Sequence, residues 1–565
     1  MKPLLCALFL LLPTLGLCQA SNSVSLLTFG ADPTGHDDAA PAFNRALAAA
    51  KHIIVPPGQY LLAGAATVAL ANVDIECQGP PVSANTPPAY GSVGATFLLT
   101  STTVQPFTVG MGVRIRNCNF FWPNQTGTTA TPIVYPPLFT EVPGKQLGNF
   151  DLIGDRIIDA YDVLDAANST DAMGAITLTD TLGYAIRYWF SLANVPETVT
   201  IKGMIADWNL YQGVASRGKQ YLVRWTAANG TFLHVFGNGN GRTTASTVTV
   251  AGLVFSGTVF AYNKYVWVDS TGFLNESHFS GIVDAVPKIL QVDAGGCIAN
   301  VKFDALYYGY QWLGAGVDHY PAFSVIDPAT AGCLVTGLDI GGQLTSAQGD
   351  VLDLTGSAIK TVSLHLTGNG SYAGSSTAGT YYFANINAVN AVLTATDMFI
   401  QPATSGKTKQ GFHIQNCYEC VIGGNAFNGV YNPISISAAT IPVVGSGNIS
   451  VASPLGSSIA GTGTYAHQLL QGNSWDLLTS PTLGNCGTTS SVTGNDLAGV
   501  IQIEGGIVGA CTLTFANAFS RAPKCSFSLA GMPAYLYITA INSSSITITS
   551  SSPMTGAQVY YVCQP

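Results

Sequence analysis

Charge is what this sequence has least of. Only 9% of its 565 residues are Asp, Glu, Lys or Arg, against roughly a quarter in ordinary soluble domains. Helical surfaces are covered largely with Glu, Lys and Arg, so a mainly helical architecture is excluded. Cations are the scarcer sign: 21 Lys and Arg against 30 acids give a net charge of −9, with no basic run. That argues against nucleic acid and against anionic membranes as partners. It bears less on polyanionic substrates, for which a few placed cations suffice. Several signatures are also missing. There is no Gly-x-Ser-x-Gly elbow, phosphate loop or dinucleotide fingerprint, and Gly237–Gly241 reads as a loop, not a phosphate cradle. After Leu17 no apolar run reaches membrane-spanning length. Cys417-Tyr418-Glu419-Cys420 has no second such pair and no paired His, so zinc is not expected.

What the chain has instead is Gly (62 residues), Ser, Thr and Asn, the composition of stacked strands and turns. Lys2, the apolar stretch Leu4 to Leu17 and Cys18-Gln19-Ala20 read as an export signal over residues 1–20, cleaved after Ala20. Cleavage removes Cys6 and Cys18 and leaves ten of the twelve cysteines, an even number that fits disulfides in an exported protein. Cys77 with Cys118, and Cys297 with Cys333, are candidate pairs. Cys417 and Cys420 read as a structural bridge or two packed thiols.

The segment Leu27 to Asp38 holds Phe29-Gly30-Ala31-Asp32-Pro33-Thr34-Gly35-His36-Asp37-Asp38. An Ala-rich helix follows over 39–50, with Asp38 as its N-cap. Then comes His52-Ile53-Ile54-Val55-Pro56-Pro57-Gly58-Gln59-Tyr60-Leu61-Leu62, a strand, a turn and a strand. This opening, about 40 residues long, resembles the pectate-lyase-like superfamily. Asp32-Pro33-Thr34-Gly35 departs from the commoner Asp-Gly run. The resemblance implies an all-β fold: a right-handed parallel β-helix with an N-terminal capping helix. It does not specify a reaction, since the superfamily holds lyases, hydrolases, epimerases and phage tailspikes.

Strand-like segments then recur every 25 to 35 residues or so, as coils of a β-helix would. They begin near Val113, Val199, Val248, Phe273, Cys297, Cys333, Ile359, Leu393 and Cys420. The expected organisation is a β-helix over 21–452, a Gly/Ser-rich linker over 453–479, and a small disulfide-stapled β-domain over 480–565 with Cys486, Cys511, Cys525 and Cys563. The roles expected of that domain are carbohydrate binding, oligomerisation or capping of the open end of the helix, and capping ranks first.

The partner expected of such a protein is a polysaccharide, held by a monomer or homotrimer on an outer face. Aromatic residues in loops supply the candidate substrate-binding set: Trp122, Trp189, Trp208, Tyr211, Tyr310 and Trp312. Glycoside hydrolysis needs two carboxyl groups. Asp32, Asp37 and Asp38 belong to the capping turn and read as structural. Acids at or just after coil strands include Asp207 and Asp339. The candidate catalytic set is Glu276, Asp284, Asp304 and Asp318, with His278 or His319 assisting. A lyase would instead use a Lys or Arg base (Lys288, Lys302, Arg217 or Arg224). No calcium-loop spacing accompanies these, so no cofactor is expected, and Ca²⁺ only if the enzyme is a lyase. Hydrolysis ranks above β-elimination. A non-catalytic glycan-binding protein is the reading from another class.

Overall fold

The structure is a computed structural model. It describes residues 23–79, 94–125, 132–142, 147–166, 175–193, 198–207, 230–237, 250–260, 262–309, 321–326, 334–344, 349–367, 381–401, 409–430, 433–436, 443–444, 448–451, 459–461, 481–494, 496, 498–516, 519, 521–530 and 535–564. The signal segment and most of the expected linker lie outside these.

The main body is a right-handed parallel β-helix. Each coil lays one strand, or one part of a longer strand, on each of three faces. Face 1 runs from His52–Val55 through Val73–Cys77, Val113–Arg116 and Phe150–Ile153 to Ile176–Thr179 and beyond. Face 2 runs through Gly58–Leu62, Ala95–Leu99 and Asn119–Phe121. Face 3 runs through Phe107–Val109, Phe139–Glu141, Thr231–Val235, Lys264–Val268, Lys288–Val292, Phe323–Ile326 and Leu352–Thr355. The corner between faces 1 and 2 is made by left-handed residues such as Asn117, Gly154 and Asp180, types that tolerate positive φ.

Alternation sends every second side chain inward. On face 3 the inward column holds Phe107, Phe139, Leu164, Phe190, Leu233, Val266, Leu290, Phe323 and Leu352, in register coil after coil. Like side chains therefore stack: Phe97 on Phe120 at 5.4 Å between centroids, Phe279 on Phe303 at 4.9 Å. No coil buries this column alone, and the stack makes one continuous core.

The helix Ala40–Ala49 starts one residue later than expected, with Ala39 at the N-cap. Asp38 still accepts from Ala40 N at 2.9 Å, and it also receives Ala63 N and Ala65 N from the following turn. Phe43 on this helix is fully buried against Phe97 and Phe107. Asp32 accepts from Thr34, His36 and Asp37, which holds its carboxyl far below the usual range. This turn is structural.

Cys77 is bonded to Cys118 and Cys417 to Cys420. Cys297 is also disulfide-bonded, and its expected partner Cys333 lies outside the described residues. The parallel ladder continues to Ile459–Gly461, which pairs with Ile434–Ile436, so it reaches into the stretch read as linker. From Thr482 onward the pairing is antiparallel. Two four-stranded sheets enclose a second core around Ile501, Leu513, Ile548 and Val559, closed by Cys486–Cys511 and Cys525–Cys563. No described helix is long and apolar enough to cross a membrane.

Candidate functional site

Face 3 carries a five-residue pattern: outward, two inward, outward, inward. It reads Tyr188-Trp189-Phe190-Ser191-Leu192, Thr231-Phe232-Leu233-His234-Val235, Lys264-Tyr265-Val266-Trp267-Val268, Lys288-Ile289-Leu290-Gln291-Val292, Asp350-Val351-Leu352-Asp353-Leu354 and Tyr382-Phe383-Ala384-Asn385-Ile386. Register aligns the copies, so two outward rows run along the face. One passes Ser191, His234, Trp267, Gln291, Ser324, Asp353, Asn385 and His413. The other passes Tyr188, Thr231, Lys264 and Lys288. Asp350 and Tyr382 continue it, because each stands two residues before the aligned inward positions Leu352 and Ala384.

Two carboxyl groups thus stand together on one coil, separated by the buried pair Val351-Leu352. Asp350 is desolvated and receives only Tyr382 N, at 2.7 Å, among the hydrogen bonds of the described residues. Burial, with a further push from Asp353, raises its pKa to about 7. Burial raises Asp353 as well, but Thr355 and Asn385 donate to its Oδ1, each at 3.3 Å, and oppose the rise. Asn385 is itself oriented: its Oδ1 accepts from Gln415 Nε2 and pairs with His413 Nδ1, both at 3.1 Å. His413 stacks on Tyr382 at 4.4 Å, and burial lowers its pKa, which favours the neutral ring. Two acids in different surroundings, one with a single hydrogen-bond donor and one with two side-chain donors, are what acid–base chemistry can use.

Toward the N-terminal end of the same face the outward rings stand on edge in a stack. His234 lies between Tyr188 (4.8 Å) and Trp267 (4.3 Å). Cations close both ends: Arg187 over Tyr188 at 4.7 Å, Lys264 over Trp267 at 3.7 Å. Hydrogen bonds pin the edges, from Trp267 Nε1 to Asp293 (2.7 Å) and between His234 Nε2 and Asp269 (3.0 Å). Ser191 Oγ is 3.4 Å from His234 Nδ1. The Ser–His–Asp series so formed has its serine buried at 6% exposure, and it locks the stack.

The three described members of the expected catalytic set lie at different places on the coils. Glu276 is exposed at a left-handed corner position (φ 44°). Asp304 points outward on face 1, in register with Ser280, while Asp284 pairs with Gly309 at the end of the strand segment on face 2. Asp318 lies outside the described residues, as do His319, Trp208, Tyr211, Tyr310 and Trp312. Trp122 and Trp189 are at most 1% exposed. Trp189 is turned inward by its copy of the pattern, and Trp122, just after the face 2 strand Asn119–Phe121, is buried as well, which corrects their assignment as binding platforms. Asp304 does join a polar cluster on face 1. Lys302 Nζ lies 3.3 Å from Asp304 and 3.9 Å from Asp339, and His365 Nδ1 lies 3.1 Å from Asp339. These charges pair with one another on partly exposed side chains, whereas face 3 holds a desolvated carboxyl, so face 3 is the stronger site. Among the described residues no group of His, Cys, Asp and Glu has a metal-holding arrangement.

The sequence reading missed Asp350, Asp353, Asn385 and His413. The five-residue pattern was the signal that could have found them.

No family model and no curated protein matches the chain. Solved structures that are similar include the tailspike protein of E. coli bacteriophage HK620 in complex with a pentasaccharide (10% identity, 96% of this chain on 93% of that one, TM-score 0.49). The Dettilon tailspike protein is another (10% identity, 96% on 94%, TM-score 0.35). A third is PfbA, a surface adhesin of Streptococcus pneumoniae (12% identity, 86% on 100%, TM-score 0.30). No residue role is carried over from them. By its own ladders and register, the chain is a right-handed parallel β-helix with a small antiparallel β-domain after it.

Proposed function

We propose that this chain is an exported polysaccharide hydrolase that works on face 3, with Asp350 as general acid and Asp353 as base or nucleophile. The carrying observation is the pair itself. Two carboxyl groups share one coil: Asp350 is pushed up to about 7, and burial raises Asp353 too, against hydrogen bonds from Asn385 and Thr355 that favour its carboxylate. At neutral pH Asp350 retains a proton to give to a leaving glycosidic oxygen. Asp353, whose carboxylate accepts from Asn385 and Thr355, is the group to activate water or attack the sugar. The site is an open strip, not a closed pocket. Its side chains repeat at the strand spacing of about 4.8 Å, comparable with one sugar unit, which suits a long polymer. The signal-like N-terminus and the disulfides support export to an oxidising compartment.

The test is incubation of the mature protein with neutral and acidic polysaccharides, reading reducing ends and the ultraviolet absorbance of unsaturated products together. Reducing ends alone, lost in Asp350→Asn and in Asp353→Asn, are expected. Unsaturated products would replace hydrolysis with elimination. Binding without any product would favour the second reading, a glycan-binding protein, which the extensive internal hydrogen bonding of the strip also fits.

A further inference from the structure

One hydrogen-bond network on face 3 ends in an open acceptor. It starts at Asp353, and the carboxylate sets its direction. As the carboxylate that the proposed chemistry requires, Asp353 only accepts. The side of the Asn385 amide that meets it at 3.3 Å is therefore the NH₂ group. That turns Asn385 Oδ1 to the opposite side, where Gln415 Nε2 and His413 Nδ1 both lie at 3.1 Å. A carbonyl oxygen only accepts, so His413 Nδ1 carries a proton. Burial favours the neutral ring, and a neutral imidazole has a single N–H. His413 Nε2 is left as a bare lone pair, and no group among the described residues donates to it. The ring is also held in place. It stacks on Tyr382 at 4.4 Å with the planes 17° apart, while Nδ1 is tied to Asn385. The two nitrogens lie on opposite edges of the ring, so Nε2 points away from Asn385, to the side of the following strand, where Ser435 is in register.

We propose that His413 reads the glycan on face 3: its Nε2 accepts from a free sugar hydroxyl, so the bound polymer is unsubstituted at that position. Asp353, Asn385 and His413 stand on three successive strands. At the strand spacing the hydroxyl is roughly 10 Å along the strip from Asp353, on a sugar beside the reacting one. An O-methyl or O-acetyl group there has no proton to give, and it leaves the lone pair unmet. An acceptor already locked by its neighbours loses little side-chain freedom when the glycan binds.

The inference rests on face 3 being the glycan site, and its tests read a proton position and binding, not cleavage. Histidine-selective nitrogen NMR of the mature chain at neutral pH is expected to show Nδ1 of His413 protonated and Nε2 bare. The reverse overturns the proposal. The Nε2 signal is then followed in Asp350→Asn, so that nothing is cleaved. The probes are neutral tetrasaccharides of glucose, galactose, mannose and N-acetylglucosamine, each beside its fully O-methylated form. At least one free tetrasaccharide should shift Nε2 and bind at least about tenfold tighter than its methylated form. Asn385→Leu removes the acceptor of Nδ1, so the proton should pass to Nε2 and the preference for free hydroxyls should vanish. His413→Phe keeps a ring on Tyr382 without the lone pair and should lose the same preference. Survival of the preference in well-folded His413→Phe overturns the proposal, as does an Nε2 signal that no tetrasaccharide moves. Movement of Nε2 without product from the parent on any polymer would sink the hydrolase reading alone. Product from the parent with Nε2 unmoved would sink this inference alone.

Discussion

Asp350 links function to stability through one proton. Its carboxyl is raised from 3.8 to about 7 by burial, so between those values the folded protein holds a proton that the unfolded chain has released. Fewer protons on the unfolded side mean that stability falls as pH rises from about 4 to about 7, then levels off. Fully buried Asp155, raised well above its usual range by burial, acts in the same direction. Asp350→Asn keeps an acceptor for Tyr382 N but never ionises. It should melt higher than the parent at pH 7.5, with the gap closing toward pH 4. Its activity should drop by about 10²- to 10⁴-fold, the usual worth of a general acid. In the parent, activity should fall as pH rises through about 7. A melting gap independent of pH would show that Asp350 is not the buried acid described. Trp122 and Trp189 give the opposite result. Each is closed in the core, so Trp→Ala should cost about 3–5 kcal/mol in denaturant unfolding, with glycan affinity unchanged in whatever remains folded. Burial of this kind was not legible from the sequence. An aromatic beside a loop looks the same whether its coil turns it in or out, and only register decides.

At the scale of the element, the recurring segments found in the sequence are mostly the strands of face 1: Val113–Arg116, the start of Val199–Asp207, Cys297–Gly309, Val335–Leu344 and Thr361–Thr367. They alternate over enough residues to be recognised. Face 3 strands are only four or five residues long over much of the helix, and two consecutive inward residues interrupt their alternation. Period-2 reasoning therefore passed over them. Asp304 and Asp284 were found because they lie in or just after recognisable strand segments, and Asp350 and Asp353 were missed because theirs was not recognisable. The same limit hid an internal device near the C-terminal coils. Asn425 and Asn448 are fully buried. Asn425 accepts from Met398 N at 3.1 Å and donates to Ala395 O, and Asn448 repeats the arrangement one coil on, with Asn425 N and Ile422 O. Asn425→Leu leaves Met398 N without this acceptor inside the core. It should destabilise the helix by at least about 2 kcal/mol, measured by denaturant unfolding, whereas exposed Asn390→Leu should cost little. Similar losses for the two would mean the buried ladder is not worth what its geometry implies.

At the scale of the whole molecule, two large and separate cores stand out among the described residues. The helix core runs without a break from Leu26 to Ile436, while that of the C-terminal unit, from Cys486 to Cys563, is far smaller. A small domain buries a lower fraction of its surface, so covalent links carry more of its stability. Cys486–Cys511 and Cys525–Cys563 both close loops inside that unit. In the helix Cys417–Cys420 closes a very short loop, and Cys77–Cys118 lies within a core extended by many stacked coils. Calorimetry of the full chain should therefore show two transitions. Reductant should lower the smaller one strongly, by the 2–5 kcal/mol typical of a native bridge in a small domain, and move the larger one less. Two transitions shifted alike by reductant would mean that the helix leans on its bridges as much as the small domain does. A single transition would mean that the two cores unfold as one cooperative unit.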